Sequence, residues 1–153
     1  MRRYQTLLLA LLLLTPSCVP ARQSLLASSA PSFYSRLIAA HDRGEGVRAT
    51  YPVSPADARQ ITFTILQAQP AIAITEQPEA GRILATLEDP YPLFSPEPAT
   101  TSLGVWISPR GESESEVVVL SRARHLLALG RKVVSETEFH EAFAAAVATA
   151  RTQ

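Results

Sequence analysis

The stretch from Ala71 to Leu87 reads AIAITEQPEAGRILATL, and its reading decides the fold class. Ala71–Thr75 and Arg82–Leu87 are short runs of Ile, Leu, Ala and Thr at strand length. The residues between them include Pro78 and Gly81, which punctuate a hairpin loop. An antiparallel pair is expected. Two further strands follow at Ser102–Ser108 (SLGVWIS) and Glu116–Arg122 (EVVVLSR), the latter open to extension toward Leu127. The polar segment Pro109–Ser115 joins them as a second hairpin tip. Asp89–Pro98 (DPYPLFSPEP) holds four prolines. It has too few backbone donors for a sheet interior and reads as a loop or edge crossing.

Helices are expected on either side of these strands. Ser135 and Glu138 form an S-x-x-E capping box, and Phe139, Phe143, Ala146, Val147 and Ala150 make an apolar stripe at helical spacing. A helix from Glu136 to about Arg151 follows, with a stripe that must be buried against the sheet. Ahead of the strands, Ser54 can cap, Pro55 suits a first helical position, and Asp57 sits three residues after the cap. That helix runs to about Gln67, with Ala58, Ile61, Ile65 and Leu66 at helical spacing, and Pro70 stops it. Ser32–Asp42 reads as a shorter helix with Phe33, Leu37 and Ala40 on one side, ended by Arg43-Gly44-Glu45-Gly46. Strands run in succession without helices between them, so the fold class is α+β. The expectation is a small antiparallel sheet of about four strands, a helix before it, and the C-terminal amphipathic helix packed on one face.

Composition bounds the function. The 153 residues carry 14 Lys+Arg against 14 Asp+Glu and are 46% hydrophobic. This length suits a single domain, placed at 32–153. Balanced charge removes the electrostatic case for a nucleic-acid partner. The single cysteine, Cys18, allows neither an internal disulfide nor a cysteine zinc cage. No G-x-S-x-G elbow occurs; the nearest string, Gly111–Ser115, lacks the second glycine and falls between strands. Phosphate-cradling glycine motifs are also missing, so no cofactor is expected.

Metal and acid–base readings are weak for physical reasons. His41, His125 and His140 do not share the i, i+4 spacing of H-E-x-x-H. His140 with Glu138 and Glu141 could offer at most a surface site, whereas its position about 100° round from Phe139 suits the border of an apolar stripe. His41 beside Asp42 reads as a helix-end residue near the last carbonyls. Glu88 and Asp89 are adjacent, and neighbours on a strand point to opposite faces, which suits joint acid–base work poorly. No catalytic residue is assigned.

Two features point to an interaction surface. Tyr91, Phe94 and Trp106 lie in or beside the proline-rich loop, and Arg122 and Arg124, with His125, Arg131 and Lys132, form the one basic cluster. Together they make a candidate patch for an envelope partner or anionic headgroups. The plainer alternative folds the loop over a sheet face, buries Phe94 against Trp106, and leaves the cations solvated.

The first segment reads as an address. Arg2 and Arg3 precede Leu7–Leu14 (LLLALLLL), a secretory hydrophobic region too short for the roughly 20 residues of a spanning helix. Leu14-Thr15-Pro16-Ser17-Cys18 resembles the lipobox of bacterial lipoproteins, with Thr15 where that family usually has leucine. The resemblance implies a signal peptide over 1–17 and lipidation of Cys18, with an anchor and flexible tether over 18–31. The partner would then be a lipid bilayer, engaged through an acylated N-terminus. Val19 after the cysteine, in place of aspartate, implies the outer membrane facing the periplasm. Removing the leader leaves 12 basic residues against 14 acidic ones, a net charge of about −2. The competing reading cuts after Val19-Pro20-Ala21 and releases a soluble periplasmic or secreted protein beginning at Arg22. The expected function is a membrane-anchored binding or scaffolding module without catalysis; the alternatives are a carrier of a small or lipophilic ligand and a carboxylate-based hydrolase.

Overall fold

The chain folds into an α+β domain, and its computed structural model describes residues 30–88, 100–123 and 134–151. In chain order the elements are α1 (Ala30–Asp42), β1 (Val47–Tyr51), α2 (Pro55–Gln67), β2 (Ala71–Gln77), β3 (Arg82–Glu88), β4 (Thr100–Pro109), β5 (Ser115–Ala123) and α3 (Glu136–Ala150). A single 3-10 turn, Pro78–Ala80, sits between β2 and β3.

The strands form one sheet in the order β1-β5-β4-β3-β2, and every neighbouring pair is antiparallel. β2–β3 and β4–β5 are the two expected hairpins, and pairing of β3 with β4 joins them into a meander. The sheet has one strand more than the sequence suggested. β1 is a five-residue run, VRATY, too short and mixed to show a period, and its pairing with β5 (Val47 opposite Val119) defines it as a strand. Its partner lies some 70 residues away, so no local signal specifies it. β1 and β2 occupy opposite edges, and α2 carries the chain between them.

Local chemistry starts and stops these elements as the sequence implies. Ser54 Oγ accepts from the Asp57 amide at 3.1 Å, with Pro55 at the first position of α2. At α3 the capping box is complete: Ser135 Oγ accepts from the Glu138 amide at 3.2 Å, and the Glu138 carboxylate accepts from the Ser135 amide at 2.7 Å. The Ser135 amide first, and then the Ser135 hydroxyl, which donates to the same carboxylate at 2.8 Å, hold the Glu138 carboxyl below the ordinary glutamate range. Gly81 turns the β2–β3 hairpin at φ 60°, and a Cβ there would stand 2.9 Å from the Ile107 carbonyl oxygen. Both the left-handed backbone and the close approach select glycine.

The central strands are apolar on both faces, so the sheet needs cover on both. Ile83, Ala85, Leu87, Leu103, Val105, Ile107, Val117 and Val119 face a core closed by Ala58, Ile65 and Leu66 of α2 and by Phe139, Phe143 and Val147 of α3. On the reverse face Trp106, Val118 and Leu120 pack against Leu37 and Ala40 of α1, with Tyr34 and Ile38 alongside. Tyr34 extends this contact through a 3.0 Å hydrogen bond between its hydroxyl and Thr86 Oγ1. The result is three layers, with α2 and α3 on one side and α1 on the other. Burial on both faces explains why EVVVL reads as a continuous apolar run and not as an alternation.

Trp106 shapes the reverse face. Its indole lies flat over Gly104, the next residue along β4 on that side. A Cβ at Gly104 would come within 2.5 Å of Trp106 Cη2 and 2.6 Å of Cζ3. Gly104→Ala should therefore displace the ring from under α1 and destabilise the domain by about 1–3 kcal/mol. Urea unfolding with near-UV circular dichroism of the lone tryptophan measures this. An unchanged midpoint and an unchanged tryptophan signal would contradict the packing.

Candidate functional site

Of the five residues that sequence reasoning grouped as an interaction patch, Trp106 and Arg122 lie among the described residues. Tyr91, Phe94 and Arg124 fall outside them, as do Cys18, Asp89, His125, Arg131 and Lys132. The structure sets Trp106 and Arg122 on the same face of the sheet, on neighbouring strands, and gives them different environments. Trp106 is 5% exposed and is covered by α1. The cover directly over the ring comes from His41, whose imidazole stacks on the indole at a centroid distance of 4.1 Å and an interplanar angle of 5°. Trp106 thus belongs to the interior of the reverse face. Arg122 is at the surface beside the turn that follows α1.

That turn carries an electrostatic cluster. Glu45 Oε1 accepts from Arg43 Nη2 at 2.7 Å and Nε at 3.1 Å, while Oε2 accepts from Arg122 Nη2. Arg43, and then Arg122, hold the Glu45 carboxyl below the ordinary glutamate range. The cluster ties the α1–β1 turn to the end of β5. Its partners are solvent-facing, so its contribution to stability is small and screened by salt.

The strand register brings three strand ends together at one end of the sheet. Glu88 pairs with Thr100, and Thr101 pairs with Ala123. α3 starts near the same end, where Glu136 Oε1 accepts from the Ser121 amide at 2.9 Å.

His140 lies at the border of the α3 stripe, and the structure turns it inward. Its Nε2–H donates to the Val47 carbonyl at 3.0 Å, which leaves Nδ1 to accept from the Tyr51 hydroxyl at 2.9 Å. Both ring nitrogens are thus engaged in protein hydrogen bonds, and Glu138 is engaged in its cap. These residues do not converge on a common point, and among the described residues no three His, Cys, Asp or Glu side chains gather as metal ligands. The ring instead fastens α3 to the edge strand β1, with Tyr51 also against Phe143 at 4.5 Å.

Sequence reasoning missed three contacts: His140 with Tyr51, His41 with Trp106, and Glu45 with Arg122. Each joins residues more than 60 positions apart, and no spacing rule reaches that far. One local signal was present. A Gly-x-Trp on a strand leaves room on one face for an indole to lie flat.

Removing the Tyr51 hydroxyl leaves His140 Nδ1 without its partner in a buried place, so Tyr51→Phe should cost about 1–3 kcal/mol in urea unfolding. A cost near zero would show that the bond is not formed in solution. Glu45 gives a pH prediction. Its carboxyl is lowered in the folded state, so the stabilisation is present above the ordinary glutamate range and is lost as pH falls through the lowered value. Glu45→Gln should flatten the acid side of the stability–pH curve slightly, at low salt and not at high salt; equal curves for both proteins at low salt would contradict it. Compared with known proteins, the chain matches no family model and no curated protein.

Proposed function

We propose that this protein is a small envelope lipoprotein, held to a bilayer through an acylated Cys18 and acting through its surface as a binding or scaffolding module. The observation that carries the anchor is the run LLLALLLL followed closely by the only cysteine in the chain. A thiol used nowhere else and placed directly behind a secretory hydrophobic region suits an acyl acceptor. Several acyl chains hold a protein to a membrane stably, whereas one chain binds reversibly.

The domain's surface supports action by contact. The ionisable groups followed above are occupied in structural roles: Glu138 caps α3, His140 fastens β1, and Glu45 bridges two arginines. The sheet has two edges, and among the described residues they carry the exposed large hydrophobic side chains, Val47 (44% exposed) and Ile72 (37%). At the β1 edge the Val47 carbonyl is taken by His140. At the β2 edge Ile72 sits at a bulge, where the register with β3 shifts between Ala71 and Ala73. A bulge on an edge discourages indiscriminate pairing and re-aims the side chain at the irregularity. The proposed contact surface is this β2 edge.

Intact-mass measurement of the mature protein from a bacterial envelope, with labelled palmitate as a second readout, tests the anchor. The expected result is a chain beginning at Cys18, heavier by its acyl groups, with label lost in Cys18→Ala. An unacylated chain beginning at Arg22, or equal label on both proteins, would overturn the proposal.

A further inference from the structure

We infer that α1 lifts from the sheet as a unit of its own, with the five strands, α2 and α3 still folded, and so uncovers the apolar face around Trp106. Two separate cores carry this. Leu37 and Ala40 are the buried α1 side chains of the smaller core, where they meet Trp106, Val118 and Leu120, with Tyr34 and Ile38 half-buried beside them. None of these residues belongs to the larger core, whose buried side chains come from β1, β3, β4, β5, α2, α3 and Val134. Losing α1 therefore opens the smaller cluster and leaves the larger one closed.

The chain connections allow the same separation. α1 leads into one strand only, β1, whereas α2 links β1 to β2, and α3 is held to β1 through His140. Pairing of β1 with β5 starts at Val47, past the turn, so no strand unpairs when α1 leaves. The bonds of the turn belong to the helix end. The Arg43 and Glu45 amides each donate to the Ala40 carbonyl at 3.1 Å, and the Gly44 amide donates to the His41 carbonyl at 2.8 Å. They travel with α1. The pivot is Gly46, at φ 113°, where glycine gives the backbone a freedom other residues lack. Hinged motions are absorbed at a few such positions between elements.

The ties described above between this helix, its turn and the sheet are side-chain contacts. His41 stacks on the Trp106 indole, the Tyr34 hydroxyl lies 3.0 Å from Thr86 Oγ1, and Glu45 bridges to Arg122. The last is solvent-facing and holds weakly. An element held by a small apolar cluster opens at lower cost than the whole domain unfolds. The inference does not rest on lipidation of Cys18 and survives if that proposal fails.

Hydrogen exchange of the full chain, read by mass spectrometry under conditions where closing outpaces exchange, tests it. Peptides covering Leu37–His41 should exchange about tenfold faster, or more, than peptides covering Phe139–Val147. Val147→Ala weakens the larger core equally in the closed form and in the form with α1 lifted. It should therefore speed exchange in α3 by about tenfold and leave α1 unchanged. Gly104→Ala strains the indole only while α1 covers it, so this substitution on β4 should speed exchange in α1. Equal rates in α1 and α3 of the wild type, or an α1 that speeds up in step with α3 in Val147→Ala, would overturn the inference. So would an unchanged α1 in Gly104→Ala, which would show the helix fraying in place. If Val147→Ala does not fold, Ile65→Val puts the same question with a smaller cavity and an expected change in α3 of about threefold.

Discussion

Strands β4 and β5 are buried on both faces, and this constraint organises the rest of the molecule. Leu103, Val105, Ile107, Val117 and Val119 point one way, while Trp106, Val118 and Leu120 point the other. A sheet half-solvated on one side would leave the second set in water. Burying an apolar side chain is worth about 1.5–3 kcal/mol, so the domain gains most by placing a helix on each side. α2 and α3 close the larger core, and α1 closes the smaller one. The reverse face has room for only a thin layer, met by Gly104 lying under Trp106 and by Ala40 on the facing helix.

Much of this was legible in the chain. The hairpin loops, the caps at Ser54 and Ser135, the stop at Pro70 and the stripe through Phe139, Phe143 and Val147 are local signals, and the structure shows the elements they specify. The α+β class followed from their order. β1 was not legible, because five residues without a period become a strand only through pairing with β5. The role of α1 as a layer of its own was equally hidden. Its apolar residues implied a buried side without naming which face of the sheet would receive it. At the candidate site the sequence singled out Trp106 and Arg122, and the structure supplies their unforeseen partners, His41 and Glu45.

Anchoring at Cys18 would give these details a setting. Only the residues between Cys18 and Ala30 separate the cysteine from the first helix. Fully extended, such a segment spans about 40 Å at most. The domain would stay within that distance of the bilayer, and α1 would be the element on which the tether ends. The β2 edge is formed by other elements.

The claim that the sheet needs cover on both faces is tested most directly by removing one cover. Two chains, one beginning at Phe33 and the other at Gly46, differ by α1 and the turn after it. The account predicts that the shorter chain has a lower urea midpoint, a tryptophan emission shifted toward that of the free amino acid in water, and binding of a hydrophobic dye at the uncovered face. Equal midpoints and equal emission in the two chains would show that α1 is not a structural layer and would contradict the account.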